Sequence, residues 1–304
     1  MDFTLDPVQT DLREACTTLL ARHAGTDRAR ELRARGGVDA ELFAALDDAG
    51  FLDLAPDPDA GPLAATLVTE WTAAAGGVGP VGARTLVAPA VLDAPPRTVT
   101  VADRRSSGPV RFGTDVEAVV LVDGADAVLA RRGGFTAVPV PSSFGHPLAR
   151  IETTDVEPLA PGAGDTVRRW WQVALAAEIA GCARGALERT TRYLTEREQF
   201  GRPLATFQAL QHRLADCHVR VEGTSWLTRL AAERGAPADL AASAATAAVE
   251  TAGVVLQETH QLTGAMGFTL EYDLHVWTLR LQDLRLEAGG VDAHADALVA
   301  ARWG

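Results

Sequence analysis

Apolar positions along the first part of the chain recur at helical spacing. Leu12, Ala15, Leu19 and Leu20 share one helix face, and Leu42, Phe43 and Leu46 repeat the pattern before Gly50, which reads as a helix stop. Asp53 to Pro62 holds three prolines and predicts a break; a further helix is expected over about 63–75, ending at Gly76-Gly77. Pro80 to Pro96 is apolar but interrupted by proline, and its pattern selects neither helix nor strand. From Arg97 the pattern changes. Thr98–Val101, Ala118–Val122 and Ala137–Val140 are short β-branched runs set between Gly, Pro and Asp, which predicts a small domain of hairpin-like strands. Beyond Thr166 the helical period returns in four segments, about 166–196, 204–232, 237–264 and 271–286. Long segments with short breaks predict a four-helix bundle. The expected organisation is a helical domain over 1–96, a β-domain over 97–161 and a bundle over 162–304. The fold class is then mainly α with a small β-domain.

Composition narrows the functions. With 47% hydrophobic residues in 304, the chain can bury a large core in two domains or one large one. A formal charge of −12 argues against nucleic acid, whose phosphates need clustered cations. Every cation in the sequence is arginine, which excludes a Schiff-base lysine and a P-loop lysine. Cys16, Cys182 and Cys217 lie far apart and read as buried free thiols. The start, MDFTLDPVQTDLREA, is acidic and amphipathic rather than a signal peptide, and no bilayer-length apolar run stands out. A cytoplasmic protein with no membrane span is the expectation.

Three segments carry chemistry. The first runs Tyr193-Leu-Thr-Glu-Arg197-Glu198-Gln199-Phe200-Gly201-Arg-Pro-Leu; the second, Phe207-Gln208-Ala-Leu-Gln211-His212-Arg-Leu-Ala215-Asp216, follows it. The third is Gln261-Leu262-Thr263-Gly264-Ala265-Met-Gly267-Phe268-Thr-Leu-Glu271-Tyr272-Asp-Leu-His275. A helix ending in Arg-x-x-Phe-Gly sets a cation and a ring beside a tight turn, and a guanidinium fork matches a pyrophosphate. Two glycines breaking a helix let backbone N–H groups approach a phosphate closely. Glu271 and His275 are spaced as an i,i+4 pair, and His212 and His218 read as packing or surface residues.

In this order and spacing the segments resemble the acyl-CoA dehydrogenase family, and the helix–β–helix order of the chain agrees. The resemblance implies that the C-terminal bundle holds the ADP portion of an FAD shared with a neighbouring subunit. The positions it points to are Arg197, Glu198, Gln199, Phe207, Gln208, Gln261, Leu262, Thr263, Gly264 and Ala265. Ala265 departs from the second glycine usual there and adds a methyl group at a point of close approach.

The family's reaction needs a carboxylate to take a proton from the carbon beside a thioester. By position the base falls on Ala288 or, alternatively, on Trp171, and neither accepts a proton. Glu287 is one residue away and is the remaining candidate, although a one-residue shift on a helix turns a side chain by ~100°. The family's polar loop for the flavin ring has no counterpart between Pro96 and Pro161; the turn from Arg111 to Asp115 is the nearest, and it does not match. The resemblance therefore implies the shorter, base-lacking subunit of a heteromeric acyl-CoA dehydrogenase. A full-length partner would supply the base and hold the acyl-CoA, a bulky steroid side-chain thioester by analogy. Two alternatives stay open: the fold reused for a non-redox cyclisation or dehydration through Asp216, His212 or Glu178, and an active homodimer with Glu287 as base.

Overall fold

The computed structural model describes residues 5–304, so the first four residues of the N-terminal stretch read above lie outside it. Four helices come first: α1 (Pro7–His23), α2 (Thr26–Arg35), α3 (Ala40–Asp48) and α4 (Gly61–Ala74). Asp6 starts α1 by accepting from Gln9 N at 2.7 Å, while the Gln9 side chain accepts from Asp6 N, and Pro7 fits the first helical position. Leu20, Leu42, Phe43 and Leu46 pack together as expected, but Cys16 rather than Ala15 faces inward from α1. The ambiguous stretch after Pro80 is helical: a turn of π-helix, Ala83–Val87, runs into a 3-10 turn, Ala88–Ala90. Within it Arg84 is buried and donates to Leu52 O at 2.9 Å and to Asp53 at 2.6 Å.

The middle region holds seven strands: β1 (Val99–Asp103), β2 (Val110–Arg111), β3 (Ala118–Asp123), β4 (Asp126–Arg131), β5 (Phe135–Val140), β6 (Leu148–Thr153) and β7 (Glu157–Pro158). One sheet has the order β1-β3-β4-β7 and the other β2-β6-β5. The hairpin expectation holds for β3–β4 and β5–β6, which are antiparallel. It fails for β1 and β3, which pair in parallel with Val99 opposite Ala118. The connection from Arg104 to Glu117 leaves the sheet to form β2 in the other one, so the chain returns in the same direction, as a crossover requires.

The C-terminal helices are α5 (Ala163–Glu196), α6 (Gln208–Glu233), α7 (Ala238–Thr263), α8 (His275–Leu284) and α9 (Gly290–Trp303). The expected fourth segment, 271–286, is shorter than its pattern suggested, and a fifth helix follows it. Ala288 (φ 52°), Gly289 (φ 93°) and Gly290 (φ 71°) are left-handed in succession, which ends one helix and re-aims the next. Glu271 precedes α8 and is exposed, so the expected pair with His275 does not form; His275 Nδ1 lies 3.1 Å from Tyr272 O instead.

α5 is the central helix, packed against α4, α6, α7 and α8. Gly181 and Gly185 permit this, because a Cβ there would collide with Glu70 O and with the Trp277 indole respectively. One continuous core joins α2, α4, β1, β3, β4, α5, α7 and α8. α7, extended to Phe268, is long and apolar enough by composition to cross a membrane, which the sequence reading did not notice. Half of that stretch is buried against α5, α6 and α9, and this packing accounts for its apolar character.

Candidate functional site

Trp171, one of the two positions expected to carry a base, meets Glu287, the neighbour of the other, Ala288. Trp171 on α5 and Glu287, at the break after α8, lie on one cavity, and Trp171 Nε1 donates to Glu287 Oε1 at 3.1 Å. Glu178 sits two helical turns after Trp171 and so presents to the same side. Arg111, from β2, enters between them. Its Nη1 donates to Glu178 Oε2 at 2.8 Å, and its Nε lies 2.6 Å from Glu287 Oε2. What remains of the cavity is about 10 Å³, at most the room for one water.

The electrostatics explain why these charges tolerate burial. Desolvation opposes the Arg111 charge, but Glu178, Glu287 and Asp283 outweigh it and hold the guanidinium above its ordinary value. One Glu287 oxygen accepts from the indole, and the other lies against the guanidinium as an ion pair, without a hydrogen bond among the described residues. Behind Arg111 lies a second layer. His146 Nδ1 is 2.9 Å from Asp283 Oδ2, and Arg280 donates to Gly77 O at 2.8 Å and Gly76 O at 3.1 Å. Burial pushes the Asp283 carboxyl up to about 6 against the pull of Arg111. Burial, then Arg111 and Arg280, push His146 well below its usual value and keep it neutral.

Sequence reading missed Arg111, His146 and Asp283. The turn holding Arg111 was set aside because it matched no loop of the family. The available signal was an arginine in the apolar run Pro109-Val-Arg-Phe112. The partners that give it meaning are 67 residues away on α5 and, at Glu287, beyond α8.

The cofactor candidates fall in two places. Arg197 caps α5 and is exposed, with no ion-pair partner among the described residues; its carbonyl accepts from Leu204 N. Between them Glu198–Gln199 pairs with Arg202–Pro203 across a turn at Phe200 (φ 57°) and Gly201 (φ 79°). Gln199 Nε2 donates to Glu198 O, and Glu198 and Gln208 are exposed. Phe207 is held by the Arg202 guanidinium 4.0 Å above its ring and by Phe200 at its edge.

The third segment lies elsewhere. Gln261, Gly264 and Ala265 line an open groove of about 1090 Å³ with Arg220, His260 and Arg285, and none of Arg197, Glu198, Gln199, Phe207 or Gln208 lines it. Gly264 ends α7 at φ 59°, ψ −141°, a conformation essentially confined to glycine. Leu262 and Thr263 point inward, and the Thr263 hydroxyl donates to Thr259 O, so these two can offer a ligand only backbone. Gly267 is a packing glycine: a Cβ there would meet the Thr263 hydroxyl. Two groove residues carry buried nitrogens without partners, His260 Nδ1 and Arg285 Nε. Burial pushes the His260 ring below its usual value, so the groove's cations are the Arg220 and Arg285 guanidiniums.

His212, Asp216 and His218 are exposed on α6. The three cysteines are free and buried, and burial pushes their thiols up to about 12, 12 and 11 for Cys16, Cys182 and Cys217.

Known proteins are similar to this chain in sequence and fold. The family model described as acyl-CoA dehydrogenase, C-terminal domain, matches residues 170–302. The acyl-CoA dehydrogenase IpdE2 of Mycobacterium tuberculosis (strain ATCC 25618 / H37Rv) is 32% identical over 288 residues, covering 88% of this chain and 89% of that protein. Among solved structures, the ChsE4-ChsE5 complex from Mycobacterium tuberculosis superimposes with a TM-score of 0.86 over 100% of both chains at 22% identity. A variant of the Tcur3481-Tcur3483 steroid ACAD does so with a TM-score of 0.81 over 98% of both chains at 25% identity. With a relative of this identity along nearly its whole length, and the helix–β–helix fold to match, the chain belongs to the acyl-CoA dehydrogenase family.

Proposed function

We propose that this chain is the base-lacking subunit of a heteromeric, flavin-dependent acyl-CoA dehydrogenase. It pairs with a full-length family member that binds the acyl-CoA and supplies the base. The carrying observation is the cavity of about 10 Å³ beside Trp171 and Glu287, filled by Trp171 and Arg111, with Glu287 tied to both. A carboxylate ion-paired with a buried guanidinium, in a cavity with room for at most one water, has no space beside it for a thioester.

The ADP end of FAD fits this chain better than the flavin ring does. The groove at Gly264 offers close backbone approach and the unpartnered nitrogens of His260 and Arg285, and Arg197 offers a free fork for a pyrophosphate. The ring would need the space that Trp171 and Arg111 fill. FAD, when bound, accepts the hydride of the desaturation; the work of this chain is to hold one end of it beside the partner's site. Solved relatives include two structures whose names give paired chains, one of them a steroid ACAD, which supports a heteromer and a steroid-derived acyl group.

The test is co-expression. The chain purified alone is expected to be colourless, and the complex with a full-length relative yellow. Stoichiometric flavin in the lone chain, with desaturation abolished by Glu287→Gln, overturns the proposal in favour of an active homodimer. A colourless chain that finds no flavoprotein partner and turns over an acyl thioester without an electron acceptor overturns it in favour of the non-redox reading.

A further inference from the structure

A second cleft lies away from the flavin groove and from the filled cavity. It opens between the end of α2 and the loop joining β5 to β6, with a volume of about 400 Å³, within the range of small-molecule sites. Its walls are largely apolar, including Leu32, Val78 and Phe144. Two features set it apart from a packing defect. At the inner end His146 is more than nine-tenths buried, yet its Nε2 makes no hydrogen bond among the described residues. At the outer end Arg33 is exposed and has no ion-pair partner among the described residues, while its neighbour Arg35 is paired with Glu31.

The histidine is oriented by what lies behind it. Asp283 faces Nδ1 at 2.9 Å and Phe112 holds the ring edge-on, so the imidazole is fixed with Nε2 as the remaining polar atom. Burial together with Arg111 and Arg280 keeps the ring neutral. With the proton on Nδ1 facing the carboxylate, Nε2 presents a lone pair, which seeks a hydroxyl donor. Asp115 is the one carboxylate on the cleft wall, lying against Gly37 with its Oδ2 accepting from the Thr114 hydroxyl; Arg35 is paired with Glu31, so Arg33 is the cation at the mouth left to meet an anion.

We propose that this cleft is a binding site for a small aliphatic ω-hydroxy carboxylate, its carboxylate on Arg33, its chain along the apolar walls and its hydroxyl on His146 Nε2. This goes beyond the flavin reading and stands or falls independently of it. The ends of the ligand follow from the ends of the cleft: a charge where the cation is solvated, a neutral donor where the acceptor is buried. A dicarboxylate would bring a second charge against the Asp283 carboxylate, and a plain alkane chain would leave Nε2 without a partner.

Calorimetric titration of the purified chain tests it, or of its complex if the chain purifies only so. The probes are ω-hydroxyhexanoate, hexanoate and uncharged hexanediol. The hydroxy acid is expected to bind saturably at one site, and each of the others about tenfold more weakly, since each lacks one of the two polar anchors. Arg33→Ala, at the exposed rim where folding is not at stake, should reduce the hydroxy acid to the affinity of hexanediol and leave hexanediol unchanged. His146→Phe keeps the ring against Phe112 and should erase the preference for the hydroxy acid over hexanoate. No saturable binding, equal binding of all three probes, or hydroxy-acid binding unchanged by Arg33→Ala overturns the proposal, whatever the fate of the His146 variant.

Discussion

Arg111 is the most exacting place to test the account of the filled cavity. Its side chain is 11% exposed and faces Glu178 at 2.8 Å and Glu287 at 2.6 Å. Arg111→Met keeps most of the volume and removes the charge, so two carboxylates remain buried with no cation between them. Breaking a buried pair by removing one partner costs about 3–5 kcal/mol, most of it the desolvation of the charge left behind. At about 2–4 °C per kcal/mol for a chain near this size, the midpoint of thermal unfolding should fall by about 6–20 °C. The triple variant Arg111→Met, Glu178→Gln, Glu287→Gln makes the argument specific. It keeps the shape of both acids and an acceptor for Trp171 Nε1, but removes the two carboxylates that lost their cation, so it should recover most of the loss. Denaturant unfolding followed by circular dichroism measures both, with unchanged slopes as the check that only stability has moved. A single variant within about 1 kcal/mol of the parent, or a triple variant as unstable as the single, would refute the reasoning.

Other variants probe neighbouring features. Gly267→Ala sets a methyl group against the Thr263 hydroxyl and should cost about 1–3 kcal/mol in unfolding free energy; a cost near zero means the end of α7 relaxes freely. Arg197→Ala should lower flavin retention by the heteromeric complex, read from the visible spectrum after gel filtration, with the far-ultraviolet dichroism unchanged. Asp283→Asn should stabilise the protein at pH 7, because a carboxyl raised from 3.8 to about 6 is penalised on the order of 3 kcal/mol when ionised in the folded state. The sign follows from that shift: the penalty is absent below about pH 4, grows as pH rises through 6, and is complete above it, so a variant-to-parent difference that stays flat between pH 4 and 8 contradicts it.

Local signals were the legible ones. Gly, Pro and the helical period located α5, α6 and α7 to within a few residues, and the β-branched runs marked three strands, because each of these is decided by neighbours along the chain. The parallel pairing of β1 with β3 was not readable, since it depends on where β2 goes. The separation of α8 from α9 rests on Ala288 in a left-handed conformation that alanine does not advertise. The candidate site divides the same way. The turn at Phe200-Gly201 and the break at Gly264 are local geometry, and both are where the sequence put them. The cavity is non-local: Arg111, Glu178 and Glu287 come from a strand, a helix and a loop, and only folding brings their charges together.

That non-local cluster also holds one carboxyl that burial displaces from its ordinary range. Three acids, Glu178, Glu287 and Asp283, share a buried region with two guanidiniums, Arg111 and Arg280, and with a histidine that burial keeps neutral. Fully ionised, the cluster would hold one negative charge too many in a medium that screens poorly. Glu178 and Glu287 each face Arg111 directly, whereas Asp283 has only the neutral His146 at close range and Arg111 further off. Burial lifts the Asp283 carboxyl to about 6, and Arg111 offsets that only in part. A cavity shaped for an acyl chain would have been simpler to close with leucine, and apolar replacement of buried ions is often neutral or stabilising. The ion cluster is better understood as position than as stability: it pins β2 to α5 and to the break after α8, three elements far apart in the chain.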